Sequence, residues 1–250
     1  MFGALLFVCV LSGYLLSFNV DQPAHNGDWY LRYQVTCRIV EHSRFSIVPY
    51  QTDNRAGPGM GGSVYAQYTL GQSVAMIPLY LLGRALAGVP QTNCNSPVAS
   101  PIVFLTCKTL DLILGALLCT LLYATARLLR YSPRVSLALV TLLAFGTSLW
   151  PDVLSNQEHT MESLFLLLGT YAALRYTLQR HKDPLWVSLM GVAAGLVFVT
   201  RVGGILVVPI FPLYLILLHR RSRLPDRWCD LRDDLALYVL GVIGLVVLPQ

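Results

Sequence analysis

Long apolar runs alternate with short polar connections along most of this sequence, and this pattern restricts the chain to membrane folds. Of the 250 residues, 55% are hydrophobic and only 12% are charged, whereas average soluble domains carry about 25% charged residues. A helix that spans a bilayer needs about 20 mostly apolar residues. We therefore predict an all-α polytopic membrane protein with about seven transmembrane helices, some of them tilted or partly buried. The predicted spans are 2–18, 102–126, 135–151, 160–178, 185–200, 203–219 and 235–250.

The basic residues lie around three connections that are two predicted spans apart. The net charge of +5 would suggest nucleic-acid binding in a soluble protein, but arginines in short loops indicate membrane topology, so we predict no nucleic-acid partner. Under the positive-inside rule these connections are cytoplasmic, and the loops 151–159 and 200–203 face outward. We predict a multi-pass protein of the cell (inner) membrane. The residues are Arg127, Arg130 and Arg134; Arg175, Arg180, His181 and Lys182; and Arg220, Arg221, Arg223, Arg227 and Arg232.

The segment 66–88 decides which side the first long polar region faces. If the segment spans the membrane, residues 19–65 are cytoplasmic; if it lies in the interface, they face outward. Its first half is amphipathic and aromatic, and its apolar core, Val74–Leu82, is short. We therefore favour an interfacial or re-entrant helix and an outer loop over 19–100, within a single transmembrane domain, 1–250. Because the apolar run 235–250 has no polar tail, we expect the chain to be truncated at its C-terminus.

Two local structures are predicted inside this loop. Residues Asp28–Glu41 are predicted to form a short helix with Trp29, Tyr30, Tyr33 and Cys37 roughly on one side. The glycine-rich stretch 56–62 is predicted to be irregular.

The six cysteines include no CxxC pair, which argues against a metal ribbon. Cys37 and Cys94 lie in one polar loop and would form a disulfide in an oxidising compartment. Two free thiols are the interpretation that we favour.

Asp28 follows the first predicted span and precedes two aromatic residues. A carboxylate held at the membrane surface can act as a general base toward a hydroxyl. The alternatives are a solvated loop residue or a helix cap.

A second acidic cluster opens the fourth predicted span. Ser155 and Glu158 match a capping box, which predicts a structural role. Glu158 and Glu162 are also four residues apart on one helical face, with His159 adjacent, so they are candidates for substrate binding or for a divalent metal. The metal would need a further ligand that the sequence does not identify, and no cofactor is predicted with certainty.

Arg201 ends the fifth predicted span. An arginine in apolar sequence needs a partner, and its planar fork suits a phosphate or diphosphate; the alternative is an arginine that reaches lipid headgroups. Lys108 and Asp111, three residues apart on the second span, predict an internal ion pair.

Several short motifs together resemble polyprenyl-phosphate-sugar-dependent glycosyltransferases with the C-type membrane fold. Nearest are the bacterial glycosyltransferases that are similar to protein O-mannosyltransferases and to the aminoarabinose transferase of lipid A. Each motif is weakly specific, but their order and spacing extend over nearly the whole chain. They are Gly27–Tyr33, Tyr65–Ser73 followed by Ile77–Gly83, Ala144–Pro151 leading to Glu158, and Gly191–Leu196 leading to Arg201.

The resemblance implies a lipid-linked sugar donor and an outward-facing active site beneath interfacial helices. It implies that Asp28 deprotonates the acceptor, that Glu158 is a second acid near the site, and that Arg201 binds the phosphate. With His159, Tyr68 and Gln72, these residues form the predicted donor and substrate site. The chain departs from the family in two ways: the usual second carboxylate beside Asp28 is missing, and the family is longer.

The predicted function is transfer of a sugar from a polyprenyl-phosphate carrier to a hydroxyl of a lipid, glycan or protein acceptor at the outer membrane face. Two alternatives stay open. One is a polytopic transporter or lipid flippase, in which polar groups lie near the bilayer midplane, as Lys108 and Asp111 could. The other is a non-catalytic fragment or relative of these glycosyltransferases.

Overall fold

The computed structural model describes residues 2–18, 28–47, 56–59, 62–94, 100–178, 183–221 and 227–246. Within these ranges nearly all regular structure is helical, which confirms the predicted class. A 3-10 helix, Val202–Leu206, follows the eighth α-helix. The α-helices are α1 Phe2–Leu16, α2 Asp28–His42, α3 Gly71–Ala87, α4 Pro101–Leu128, α5 Pro133–Gly146, α6 Leu149–Ser155, α7 His159–Leu178, α8 Pro184–Thr200, α9 Ile210–Arg221 and α10 Arg227–Val246.

A small hairpin is the exception to the helical class. Strand β1, Ala56–Pro58, pairs antiparallel with β2, Val64–Ala66. The prediction that the glycine-rich stretch is irregular throughout was wrong for β1, because β2 satisfies its backbone groups and the proline lies at the strand end, where a missing donor is tolerated. Met60 and Gly61 lie outside the described residues.

Seven transmembrane helices are not confirmed. Among the described residues, only Pro101–Leu128 and Val202–Arg220 are long and apolar enough to cross a bilayer, and α5 with α6 would form a third span bent by 52°. Within the described residues each predicted run overlaps a helix, but α1 and α8 are too short for this criterion. α7 and α10 contain charged residues that dilute their apolar character.

Helix α4 lies at the centre of the larger apolar core and contacts α1, α3, α5 and α7. Its buried face includes Val103, Cys107 and Leu112, and Tyr14 of α1 packs on the same core. A smaller core joins α7, α8, α9 and α10. There α10 approaches α8 so closely that a Cβ at Gly191 would lie 2.2 Å from the carbonyl oxygen of Tyr238, so this contact requires glycine.

Helices α5 and α8 begin in the same way, at the end of the molecule that carries Arg127 and Arg175. Ser132 caps α5 by accepting a hydrogen bond from the backbone N–H of Val135. Asp183 caps α8 by accepting one from Leu185. Each cap is followed by a proline, which suits the first helical position.

Four of the predicted basic residues, Arg180, His181, Lys182 and Arg223, lie outside the described residues.

The predicted helix over Asp28–Glu41 is confirmed as α2, which packs against α3.

The preference for free thiols at Cys37 and Cys94 was wrong: the two form a disulfide with their Cα atoms 5.5 Å apart. Packing explains the pairing, because Tyr80 of α3 and Thr92 both contact Cys37 Sγ. The disulfide therefore ties α2 to the segment that follows α3.

Candidate active site

Arg32 lies one helical turn after Asp28 on α2, and its side chain is only 1% exposed. Its Nη2 donates to Glu158 Oε2 at 2.5 Å, and its guanidinium lies 4.4 Å from the centroid of the Tyr68 ring, in a cation–π contact. Its Nε and Nη1 are buried and have no hydrogen-bond partner among the described residues. Such atoms are uncommon in proteins, and these two are available to an anionic ligand.

Glu158 is shared between two arginines that come from different parts of the chain. Asn156 ends α6 in the left-handed conformation, with φ 56°, and the chain turns there so that Glu158 directly precedes α7. One carboxylate oxygen binds Arg32; the other lies 3.6 Å from Nε of Arg201, at the end of α8. Glu158 therefore joins α2 to the end of α8.

Arg201 contacts three side chains at the start of α7. Besides Glu158, its Nη1 lies 3.3 Å from Glu162 Oε2 and 3.2 Å from His159 Nδ1. The Arg201 side chain is nevertheless 46% exposed, so one side of its guanidinium faces away from these partners. Two arginines and two glutamates give this ion cluster a formal charge near zero, and incoming phosphate oxygens would compete with the carboxylates for the donors.

The segment before α3 is held against the end of α8 by backbone contacts. The Thr69 hydroxyl donates to the carbonyl oxygen of Thr200. A Cβ at Gly71 would lie 2.7 Å from the carbonyl oxygen of Val199, so only glycine permits this approach. Tyr68, the residue before Thr69, lies beside Arg32.

Asp28 is the first residue of α2, and its side chain is partly buried. Because residues four apart on a helix lie on one face, Asp28 is on the face that carries Arg32 toward Glu158. The residues before it, 19–27, lie outside the described ranges. Tyr33, also on α2, is fully buried, and burial raises its pKa well above the usual range. The phenol therefore stays protonated and cannot serve as the base.

Gln72 is buried, and its side-chain amide donates to Asp111 Oδ2 at 2.8 Å. The predicted ion pair between Lys108 and Asp111 was wrong, because no ion pair joins them in the described part of the chain. The Lys108 ammonium instead lies 5.6 to 5.9 Å from the ring centroids of Phe18, Trp29 and Phe104. Asp111 therefore binds Gln72 of α3 instead of Lys108 on its own helix.

The predicted capping box was also wrong. Ser155 is the last residue of α6, and its hydroxyl donates to the carbonyl oxygen of Pro151 at 2.7 Å. It does not cap α7, and the carboxylate of Glu158 binds arginines instead of the backbone.

The metal alternative has no ligand set in the described ranges, where no three His, Cys, Asp or Glu side chains are grouped to hold an ion. Glu158 and Glu162 both face Arg201. A cation at that position would be repelled by the guanidinium.

Of the predicted site residues, the structure brings Glu158, His159, Arg201 and Tyr68 into one cluster and places Asp28 one turn from it. The residue missed by the sequence analysis is Arg32. Its spacing of four from Asp28 was a usable signal, because it puts a cation and the proposed base on one helical face.

A family model described as dolichyl-phosphate-mannose-protein mannosyltransferase matches residues 104–248. The matched region includes Glu158, His159, Glu162 and Arg201, and it excludes Asp28 and Arg32. No curated protein and no solved structure matches the chain.

Proposed function

The chain belongs to the dolichyl-phosphate-mannose-protein mannosyltransferase family, a family of membrane glycosyltransferases, and from this premise we propose that it transfers a sugar from a polyprenyl-phosphate carrier to an acceptor hydroxyl. The observation that carries the proposal is the half-exposed guanidinium of Arg201, held beside Arg32 by Glu158. Two guanidinium groups at one position suit a phosphate, because each presents a planar fork of donors.

The proposed active face is the outer one. The Cys37–Cys94 disulfide joins residues on either side of α3 in the sequence, which favours an α3 that does not cross the bilayer. Disulfides also persist in oxidising compartments. At the opposite end of α7, whose 20 residues extend about 30 Å, Arg175 lies near Arg127 and Arg130, and the positive-inside rule assigns that end to the cytoplasm.

In the proposed reaction, Asp28 acts as the general base. The acceptor oxygen attacks the anomeric carbon of the sugar, and its proton passes to the Asp28 carboxylate. The bond between the anomeric carbon and the phosphate oxygen breaks, and its electron pair leaves with polyprenyl phosphate. Arg201 stabilises the charge that develops on this leaving group. Attack opposite the leaving group inverts the configuration at the anomeric carbon.

The other site residues are proposed to position the donor. His159 and Glu158 orient Arg201 and contact the sugar. Tyr68 contributes an aromatic face beside Arg32. Gln72, which is buried, fixes α3 on α4 through Asp111 and thereby holds Tyr68 in place.

Replacement of Arg201 tests this proposal. We expect Arg201→Gln to raise the apparent KM for polyprenyl-phosphate mannose by about 10- to 100-fold, because hydrogen bonds to charged groups contribute about 1.5–3 kcal/mol. The assay is radiolabelled mannose transfer by the whole protein in detergent, with donor concentration varied. Arg232→Gln, which removes an 80% exposed arginine from α10, is the matched control. A donor KM unchanged by Arg201→Gln would remove this residue from donor binding.

A further inference from the structure

A second basic site lies at the opposite end of the molecule from the ion cluster. A cavity of about 750 Å³ opens between the last turns of α4 and α7. Three arginines line it, Arg127 and Arg130 from the end of α4 and Arg175 from α7, together with Tyr171 and a rim that includes Leu178. No residue of the proposed active site lines this cavity.

Among the described residues, no acidic side chain neutralises the charge of this cavity. No carboxylate lines it, and in the described ranges none of the three arginines forms an ion pair. Their described contacts are with neutral groups: Arg127 donates to the carbonyl oxygen of Tyr131, and Arg175 Nε donates to the Tyr171 hydroxyl at 2.9 Å. Helix C-termini favour single cations, but that preference does not explain why three arginines converge on one cavity.

Aromatic contacts hold Arg175 in place. Its guanidinium lies 5.4 Å from the Tyr171 ring centroid and 5.7 Å from that of Trp186. Stacked in this way, Arg175 keeps its remaining donors directed to other partners and loses little conformational freedom when an anion binds.

The position of the cavity along the membrane normal matches the position of lipid phosphates. Helix α4 has 28 residues and is about 42 Å long at 1.5 Å per residue, more than the hydrocarbon core of about 30 Å. Its last turn therefore reaches the headgroup layer. Leu129 and Leu178, on the rim, are 46% and 55% exposed, so apolar surface continues from the arginines toward the membrane.

We propose that this cavity binds an anionic glycerophospholipid, with the headgroup phosphate between Arg127 and Arg175 and an acyl chain along Leu178. Basic pockets between membrane helices hold such headgroups elsewhere. Bound lipid bridges the ends of α4 and α7, and so stabilises the packing of α7, whose other end carries His159 and Glu162.

Native mass spectrometry of the whole protein tests the proposal. The protein is exchanged from mixed micelles that contain equal phosphatidylglycerol and phosphatidylcholine, and the retained lipids are counted. We expect the protein to retain phosphatidylglycerol in preference to phosphatidylcholine. In the double variant Arg127→Gln/Arg175→Gln we expect this retention to fall on the order of tenfold, because each basic residue adds to the binding free energy of an anionic lipid. The matched control is Arg134→Gln, which removes an exposed arginine of the same connection that does not line the cavity.

Two further measurements complete the test. Arg130 has an exposed side chain with no described hydrogen bond, so Arg130→Gln should fold. We expect this variant to reduce phosphatidylglycerol retention severalfold, and it replaces the double variant in the test if the double variant does not fold. Inorganic phosphate added to lipid-free protein is expected to leave the melting temperature unchanged, whereas phosphatidylglycerol raises it. Equal retention by wild type and the arginine variants, or equal stabilisation by inorganic phosphate, would overturn the lipid site.

Discussion

Asp28→Asn is expected to reduce the rate of sugar transfer by a factor of about 10² to 10⁴, the usual contribution of a general base. The amide cannot accept the proton of the acceptor hydroxyl, although it retains nearly the same shape. Because Asp28 is the first residue of α2 and only partly buried, the protein should still fold. Initial rates at saturating donor, with expression and melting temperature measured in parallel, check this expectation.

The control for this experiment is Asp183→Asn. Asp183 caps α8 at its opposite end from Arg201, and asparagine is an equally good cap, so transfer should be unaffected. If Asp28→Asn transferred sugar as fast as the wild type, Asp28 would have no part in the mechanism.

Glu158→Gln is expected to have the second large effect, on stability as well as on transfer. The substitution leaves the guanidinium of Arg32, which is 1% exposed, without a counter-ion, and breaking a buried ion pair costs about 3–5 kcal/mol. We expect the lower end of this range, because Glu158 is 15% exposed. Thermal unfolding in detergent measures the change.

A double variant separates stability from function here. Arg32→Met with Glu158→Gln removes both charges, so we expect it to recover much of the lost stability but no transfer. Glu162→Gln is the matched control, since Glu162 is more exposed than Glu158 and its partners, Arg201 and His159, are both about half-exposed; its effect on stability should stay below about 1 kcal/mol. A Glu158→Gln protein as stable as the wild type would show that Glu158 does not neutralise the charge of Arg32.

Local patterns predicted those parts of the site that depend on spacing along one helix. The four-residue spacing of Glu158 and Glu162 predicted a shared face, and both contact Arg201. The position of Arg201 after an apolar run predicted the end of α8. The aromatic pattern after Asp28 predicted α2, whose Trp29 and Tyr33 are buried in the main core.

The errors have a common physical cause, which is that contacts between distant segments replaced local ones. Asp111 was paired with Lys108 on its own helix, whereas Gln72 of α3 binds it. Glu158 was assigned to a cap, whereas Arg32, 126 residues earlier, binds it. The thiols of Cys37 and Cys94, 57 residues apart, were left unpaired. Hydropathy counts apolar residues but cannot show where α5 and α6 bend, so the number of spans was not predictable.

The central claim is that the segment before α3 and the start of α7 lie on one face, and that this face is outside. Cysteine substitution with a membrane-impermeant maleimide tests it most directly, in intact cells and in a background in which exposed Cys9 is replaced. We expect Gln67→Cys and Ser155→Cys, both at exposed positions, to be labelled from outside. Tyr131→Cys, at the end that carries Arg127, should be labelled only after permeabilisation. Labelling of Gln67→Cys and Ser155→Cys from opposite sides of the membrane would contradict the shared site.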